Sequence, residues 1–461
     1  MVTTTTATNP TRAGRHTVDH DDYALVRVPQ QARVSCWAIA VQRLGQLSTL
    51  GQLSLAVMIG MGMSLPSALL AIAIGCVLLE VVALALGLAG MREGLSTSLL
   101  ARWSGFGTRG SLLVGLALMV SLTGWFAVQT EVFAAGLQQF LPGVELPTLC
   151  LIAGLVVTLI AVRGSAVMTR VAAVAVPLSL LLVVVTVVRE LQGYDLARVL
   201  AEGPAGTPIS LSAGVSMVVG GFIVGAVMTP DMARYHRNAR DVLTQTVVSI
   251  TLGHALIGVL GVLLAHALRV RLVNQVPEAV GVVQSGFGLI GVTLLAASIL
   301  PVNGWNLYPS SLAAVNAAHV LRGTRLRRAM TALVFGVVGA GLAALGWSAA
   351  YEAFLVELGA LFPPVAAIMI ADYFVLQTWR AELHESGAHG LLPGYAPAWV
   401  YGGLLAWLAG YVVASPHLLG RWVDLGVPPV TSFVVAFGGY LALSRLGLAG
   451  KGPDDLERRR G

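Results

Sequence analysis

In the stretch TGWFAVQTE, residues 123–131, an otherwise apolar run near 111–140 carries Trp125, Gln129 and Glu131. Trp125 and Gln129 are four apart and share one helical face. A flat indole stacks on a planar heteroaromatic ring, and a glutamine amide offers an acceptor and two donors at the ring's edge. Together they suit a nucleobase-like solute, although an interhelical bond is the plainer use of the glutamine. Glu131 lies about 200° round the helix from Gln129 and faces a different neighbour. An acid inside an apolar run is a functional candidate by default. Glu80, in VLLEVV, is the second, and Arg43 is placed to neutralise one of the two. Such acids either carry a proton or pair with the arginine to stitch helices together for little net gain. Asp231 and Asp372 fall at helix ends and read as anchors or gates.

The elements that must position these groups follow from composition. Of 461 residues, 56% are hydrophobic and 11% charged, and the mean hydropathy is +0.81. That balance belongs to an integral membrane protein. A helix crossing the hydrocarbon core needs roughly 20 apolar residues. About twelve such runs are present, near 37–58, 66–90, 111–138, 147–163, 167–188, 210–229, 243–267, 284–305, 328–348, 353–376, 395–414 and 426–446. They are too long and uniformly apolar for barrel strands, so an all-α bundle is expected. The first 30 residues hold Asp19, Asp21 and Asp22 and no apolar stretch, which argues against a cleavable signal. Arginines concentrate in alternate loops, among them Arg92, Arg102, Arg109, Arg234, Arg237 and Arg240. This places both ends in the cytoplasm of an inner, or plasma, membrane. The net charge of +6 then reports topology; no basic motif interleaved with aromatics points to nucleic acid. Cys36, Cys76 and Cys150 lack metal or redox spacing and read as packing residues. No phosphate-binding glycine loop argues for an ATP-driven pump. His254, His266 and His319 form no catalytic set, so no enzyme is expected.

Secondary transporters place their substrate where two helices in matching halves lose regular hydrogen bonding. The first segment, WAIAVQRLGQLSTLGQLSLAV, holds Gly45 and Gly51 with Gln42, Gln46, Ser48, Thr49 and Gln52, too polar a set to face lipid. The sixth, SMVVGGFIVGAVMTPDMARYHRN, holds Gly220, Gly221 and Gly225 in mid-span and Pro230 at its end. Their spacing suits two five-helix halves in opposite orientation, with unwound backbone at both glycine clusters. Glycines that only permit close helix packing are the competing reading.

Several motifs in order then resemble those of the nucleobase:cation symporter family, most closely its cytosine permease branch. They are YALVRVPQQAR, REGLSTSLLARWSGFGTRGS, TGWFAVQTEVFA, MTPDMARYHRNARDV, NLYPSSLAAVN and FPPVAAIMIADYF. The resemblance implies a leucine-transporter-like fold, a five-plus-five inverted repeat with two added C-terminal helices. The parts would be a cytoplasmic segment 1–35, halves 36–190 and 191–377, two helices in 378–447 and a tail 448–461. It implies alternating-access import of a base, cytosine or a purine, by cation symport. Allantoin, a hydantoin or a thiamine-precursor pyrimidine is the alternative cargo. A sensor that does not transport is disfavoured, because the terminal segments, about 35 and 15 residues, are short for a signalling domain. By the resemblance Trp125 and Phe222 sandwich the substrate ring, Gly221 opens backbone to it, and Gln129 and Asn303 meet its edge. Sodium-coupled relatives use first-helix carbonyls, here near Gln46 and Thr49, and hydroxyls of the eighth helix. This chain keeps Ser298 there but has Pro301 and Val302 where hydroxyls belong. A hard cation loses two oxygen ligands by that change, which favours proton over sodium coupling. No cofactor beyond the co-transported ion is expected; the partners are the base and the bilayer, with oligomeric state left open.

Overall fold

The computed structural model describes residues 23–162, 165–195, 197, 203–269, 272–273, 276–277, 288–324, 326–422 and 426–449. The expected acids Asp19, Asp21 and Asp22, the tail from residue 450 and the Ser298 side chain lie outside the described residues. Each of the twelve apolar runs coincides with a described helix or helix pair. The first is the pair α1 (Cys36–Leu47) and α2 (Leu50–Gly62), followed by α3 (Leu65–Glu93), α4 (Gly107–Gln138), α5 (Leu146–Val162) and α6 (Ser165–Leu191). The second half holds α7 (Leu211–Val227), the short α8 (Thr229–Ala233), α9 (Ala239–Leu268), α10 (Gly288–Arg322), α11 (Arg328–Ala344) and α12 (Trp347–Leu376). A surface helix, α13 (Arg380–Ala388), leads to α14 (Tyr401–Ala414) and α15 (Pro428–Arg445). The described strands are a two-residue hairpin, Leu272–Val273 on Val276–Pro277, with Leu272 opposite Pro277.

Among the described residues, five helices are long and apolar enough to cross a membrane, and a sixth if the bent first pair is one span. Local signals set their ends. In α3, Pro66 occupies the first turn, where its missing N–H costs nothing, and Gly94 at φ +65° closes the helix in the left-handed region. The eighth run differs from expectation: it does not stop near 305 but continues as α10 to Arg322, past Pro309. Hydropathy measures preference for lipid, and α10 turns Asn303, Ser310, Ser311 and Asn316 into the bundle, all under 2% exposed.

Packing has an internal two-fold. α2 lies along α9 as α7 lies along α3, α4 packs on α5 as α10 packs on α11, and α4 crosses α10 while α5 crosses α11. This exchange of partners is what two inverted five-helix halves produce. The α4–α10 pair runs through the centre, so side chains from the first and sixth segments meet against it.

Candidate functional site

The first break falls at Ser48–Thr49, where the axes of the two helical pieces differ by 43°. Short hydroxyl side chains compete with the helix for its own backbone groups. The Ser48 hydroxyl donates to the Leu44 carbonyl at 2.8 Å, and Thr49, in extended geometry, accepts from the Gln52 amide to cap α2. The Leu44 carbonyl also accepts from the Ser48 backbone N–H at 2.9 Å, and the Thr49 cap satisfies an amide freed at the start of α2. The second break corrects the sequence expectation. α7 is helical throughout Gly220, Gly221 and Gly225, and the chain breaks beyond them at Met228, followed by Pro230, which has no N–H to give. The glycines serve close approach instead. A methyl group at Gly220 would overlap the Leu355 carbonyl oxygen of α12, and one at Gly225 would lie 2.7 Å from the Phe222 ring.

A narrow cavity lies between the two breaks, with interior room of about 30 Å³. Gln46 and Gln52 line it from the first segment, Trp125, Gln129 and Leu122 from α4, and Gly221, Phe222, Gly225 and Met228 from the sixth. Val302 and Asn306 of α10 close it. Four of the five expected substrate residues thus share one wall-to-wall space. Trp125 is held edge-on by Tyr351 at 5.9 Å and Phe354 at 5.8 Å between ring centroids. Phe222 meets the His254 ring at 6.4 Å, and the Arg43 guanidinium sits 5.4 Å from its centroid. The Gln129 amide donates to the Thr49 hydroxyl at 3.1 Å, tying α4 to the first break. The Gln52 amide donates to the Gly221 carbonyl at 2.9 Å. The remaining acceptors, Gln46 Oε1 and Gln52 Oε1, are buried without a hydrogen-bond partner.

The fifth expected residue, Asn303, is one turn out of place. Its amide donates to the Thr130 hydroxyl at 3.0 Å and its oxygen accepts from Asn306, so it holds α4 and positions Asn306, which lines the cavity. Two asparagines three apart share a helical face, so the sequence offers both and only packing chooses. Gln52 and Asn306 were not anticipated as wall residues, although the polar density of the first segment was the signal for Gln52.

The coupling candidates separate. Thr49 spends its hydroxyl on the cap and on Gln129, and Gln46 faces the cavity through its side chain. Glu131 accepts from the backbone N–H and hydroxyl of Ser348 at 2.8 and 2.6 Å. Glu80 accepts from the Thr251 hydroxyl at 3.0 Å through one oxygen and leaves the other, Oε1, buried without a partner. Thr251 and His254 belong to a π-helical turn of α9, a form that collects at functional sites. Arg43 forms no ion pair with either acid, contrary to the stitching option. It is fully buried and donates to the Gly225 carbonyl at 2.6 Å and the Thr229 hydroxyl at 2.9 Å, beside the second break. Asp231 accepts from Thr97, and Asp372 accepts from Tyr440 and Thr378 through Oδ1 while its Oδ2 is buried without a hydrogen-bond partner.

A family model described as a permease for cytosine/purines, uracil, thiamine and allantoin matches residues 27–417. The chain is 28% identical over 417 residues to the cytosine permease of Escherichia coli (strain K12), covering 90% of this chain and 93% of that protein. It is 26% identical over 336 residues to the hydantoin permease of Microbacterium maritypicum, covering 69% and 68%. Among solved structures, Mhp1, a nucleobase-cation-symport-1 family transporter, in a closed conformation with bromovinylhydantoin bound, matches with a TM-score of 0.73 at 19% identity, over 92% of this chain and 95% of that one. Inward-facing Mhp1 matches at 0.71, also at 19% identity, over 91% and 93%. At that identity the structural likeness establishes the fold, with its inverted five-helix halves.

Proposed function

The chain belongs to the family of permeases for cytosine/purines, uracil, thiamine and allantoin, and from that premise we propose that it imports a nucleobase, cytosine or a purine, by proton symport. It is a multi-pass membrane permease and not an enzyme. One observation supports the choice of cargo: a space between two helix breaks, closed here to about 30 Å³, that is lined by the rings of Trp125 and Phe222 and by Gln46 and Gln52, each of which has a buried side-chain oxygen without a hydrogen-bond partner; it must widen to admit a base. Each buried acceptor without a donor costs about 1–3 kcal/mol. A planar ring bearing N–H groups recovers that cost at its edge while its faces stack on the aromatics. A solute without N–H donors leaves the oxygens unpaired and is rejected. Glu80, with one free carboxylate oxygen on the flank of α3, is the proton carrier, and Glu131 is structural. Arg43 supplies a positive charge beside the second break, where it is held by the Gly225 carbonyl and the Thr229 hydroxyl. Both chain ends lie in the cytoplasm beneath an inner, or plasma, membrane, in keeping with the arginines at that face.

The test is thermal-shift screening of the detergent-purified protein, followed by uptake into proteoliposomes. A ligand that binds only the folded state raises the melting temperature by mass action. Cytosine, adenine, hypoxanthine, uracil, allantoin, benzylhydantoin and hydroxymethylpyrimidine are compared with and without sodium. Stabilisation by cytosine or a purine that sodium leaves unchanged, with uptake driven by an inward proton gradient, is the expected result. Stabilisation only by allantoin or a hydantoin would overturn the cargo, and uptake that requires sodium would overturn the coupling.

A further inference from the structure

A second, larger cleft of about 670 Å³ opens at the end of the bundle, where residues 27–33, the end of α3 and the surface helix α13 meet. Among the described residues it is lined by Arg27, Arg33, Arg92, Arg380 and His384 against one acid, Glu93. That acid is already matched. Arg27 donates to it at 2.8 Å and the Tyr373 hydroxyl at 2.7 Å. Arg27 spends its other donors on the Leu391 and Leu383 carbonyls and on Ser386. The remaining cations are matched by no carboxylate among the described residues: Arg33 donates to the Met91 and His236 carbonyls at 2.9 and 3.0 Å, and Arg92 lies 5.8 Å from the Phe374 ring centroid. Arg92 and Arg380 are exposed and have no carboxylate partner among the described residues. Arg33 is 8% exposed, and its Nε has no hydrogen-bond partner. Burial pulls the Arg33 guanidinium below its ordinary range, as befits a cation short of counter-charge.

The helix α13 sorts its charge by side. Arg380, Leu383, His384 and Gly387 recur at helical spacing and face the cleft. Glu382 and Glu385 face a separate depression with Trp379 and Tyr395. A preference for basic residues on the cytoplasmic face explains how many arginines gather there. It does not explain why one short helix turns its bases inward and its acids away.

We propose that this cleft binds a phosphate-bearing anion, and that the bound anion ties the segment before α1 to α3 and α13. Guanidinium forks match phosphate oxygens in pairs. The volume falls in the range of small-molecule sites and exceeds what a bare phosphate fills. The same chemistry is offered by a phosphorylated metabolite of nucleotide size and by the head group of an anionic lipid. Because residues 27–33 lead directly into α1, half of the broken first segment, an anion held here restrains the piece that must move when the cavity opens to that face. The proposal rests on the cytoplasmic assignment of that face and is independent of which base is carried.

The full chain in phosphatidylcholine nanodiscs is titrated calorimetrically with inorganic phosphate and with cytidine 5′-monophosphate, and its melting is compared in nanodiscs containing phosphatidylglycerol. The Arg380→Gln/His384→Gln double variant changes two exposed side chains and should melt as the wild type does in phosphatidylcholine. Saturable binding of the nucleotide, weakened at least about tenfold in the double variant, supports a soluble phosphate ligand. Stabilisation by phosphatidylglycerol that the double variant loses, with the nucleotide displaced, supports a lipid head group. Absence of both effects, or equal effects in wild type and variant, overturns the site. The double variant leaves the transport cavity unaltered, so nucleotide held there through its cytosine ring would bind wild type and variant alike; failure here leaves the proposed transport standing, and the reverse.

Discussion

The indole of Trp125 touches the rings of Tyr351 and Phe354 on one side and lines the cavity on another. Stacking of a base on an aromatic side chain is worth about 1–3 kcal/mol. Trp125→Ala should therefore weaken base binding roughly ten- to a hundredfold. Trp125→Leu fills the wall without a π face and separates lost stacking from a collapsed wall; it should bind nearly as poorly while melting close to the wild type. Titration of the base against both variants decides the point, and wild-type affinity in either would remove Trp125 from the site. The acids divide in the same way. Glu131 accepts two hydrogen bonds from Ser348, so Glu131→Gln should lower the melting temperature and leave the pH dependence of uptake intact. Glu80 has one oxygen free, so Glu80→Gln should flatten that pH dependence with a smaller effect on melting. If Glu131→Gln flattens the profile and Glu80→Gln does not, the roles are reversed.

At the scale of helices, the glycines of α7 decide between two readings that the sequence left open. Gly220 faces the Leu355 carbonyl of α12, and an added methyl group there has nowhere to go. Overpacking of this kind costs about 1–3 kcal/mol. Gly220→Ala should destabilise the protein accordingly, whereas Gly341→Ala in α11, with open space around it, should be neutral or slightly stabilising. Equal melting of the two variants would mean that α7 and α12 do not approach closely. The all-helical fold and the order of its apolar helices were legible because the apolar runs are long and lipid leaves a helix few alternatives. The place of the breaks was not. A glycine cluster reads equally as an unwound turn or as a packing notch, and the choice rests on α12, far along the chain. The first helix ends at Ser48 and restarts after Thr49, which is extended and caps α2, and the second breaks at Met228–Pro230. Of the residues that line the cavity, Trp125 and Gln129 were legible from type and spacing, and Gly221 and Phe222 from the family resemblance. Asn306 was not, because Asn303 lies on the same face and only the Thr130 hydroxyl tells them apart.

Across the whole molecule, the segment before α1 joins parts of the bundle that are distant in sequence. The Val28 amide donates to the Gly94 carbonyl at 2.9 Å, the Val34 amide to that of Tyr235 at 2.8 Å, and Arg33 to the His236 carbonyl at 3.0 Å. His236, at the centre of that junction, is fully buried, and neither ring nitrogen has a hydrogen-bond partner. Burial, opposed by Gln245 and Asp241 and assisted by Arg43 and Arg33, pulls its pKa from 6.5 to about 4. The folded protein therefore holds this imidazole neutral at acidities where the unfolded chain protonates it. The unfolded state binds more protons between those two values, so stability rises with pH there. The contribution is fully present above about pH 6.5 and is lost as pH falls toward about 4, a span worth about 3 kcal/mol. His236→Gln keeps a polar side chain that does not titrate. Subtracting its melting profile from that of the wild type between pH 7 and 5 cancels the buried acids, including Asp231, whose pKa burial raises and whose contribution runs the other way. The difference should tilt toward greater acid sensitivity in the wild type. Parallel profiles would place the His236 ring in water, while a tilt confined to the wild type shows that burial of this imidazole at the junction costs the fold stability in acid.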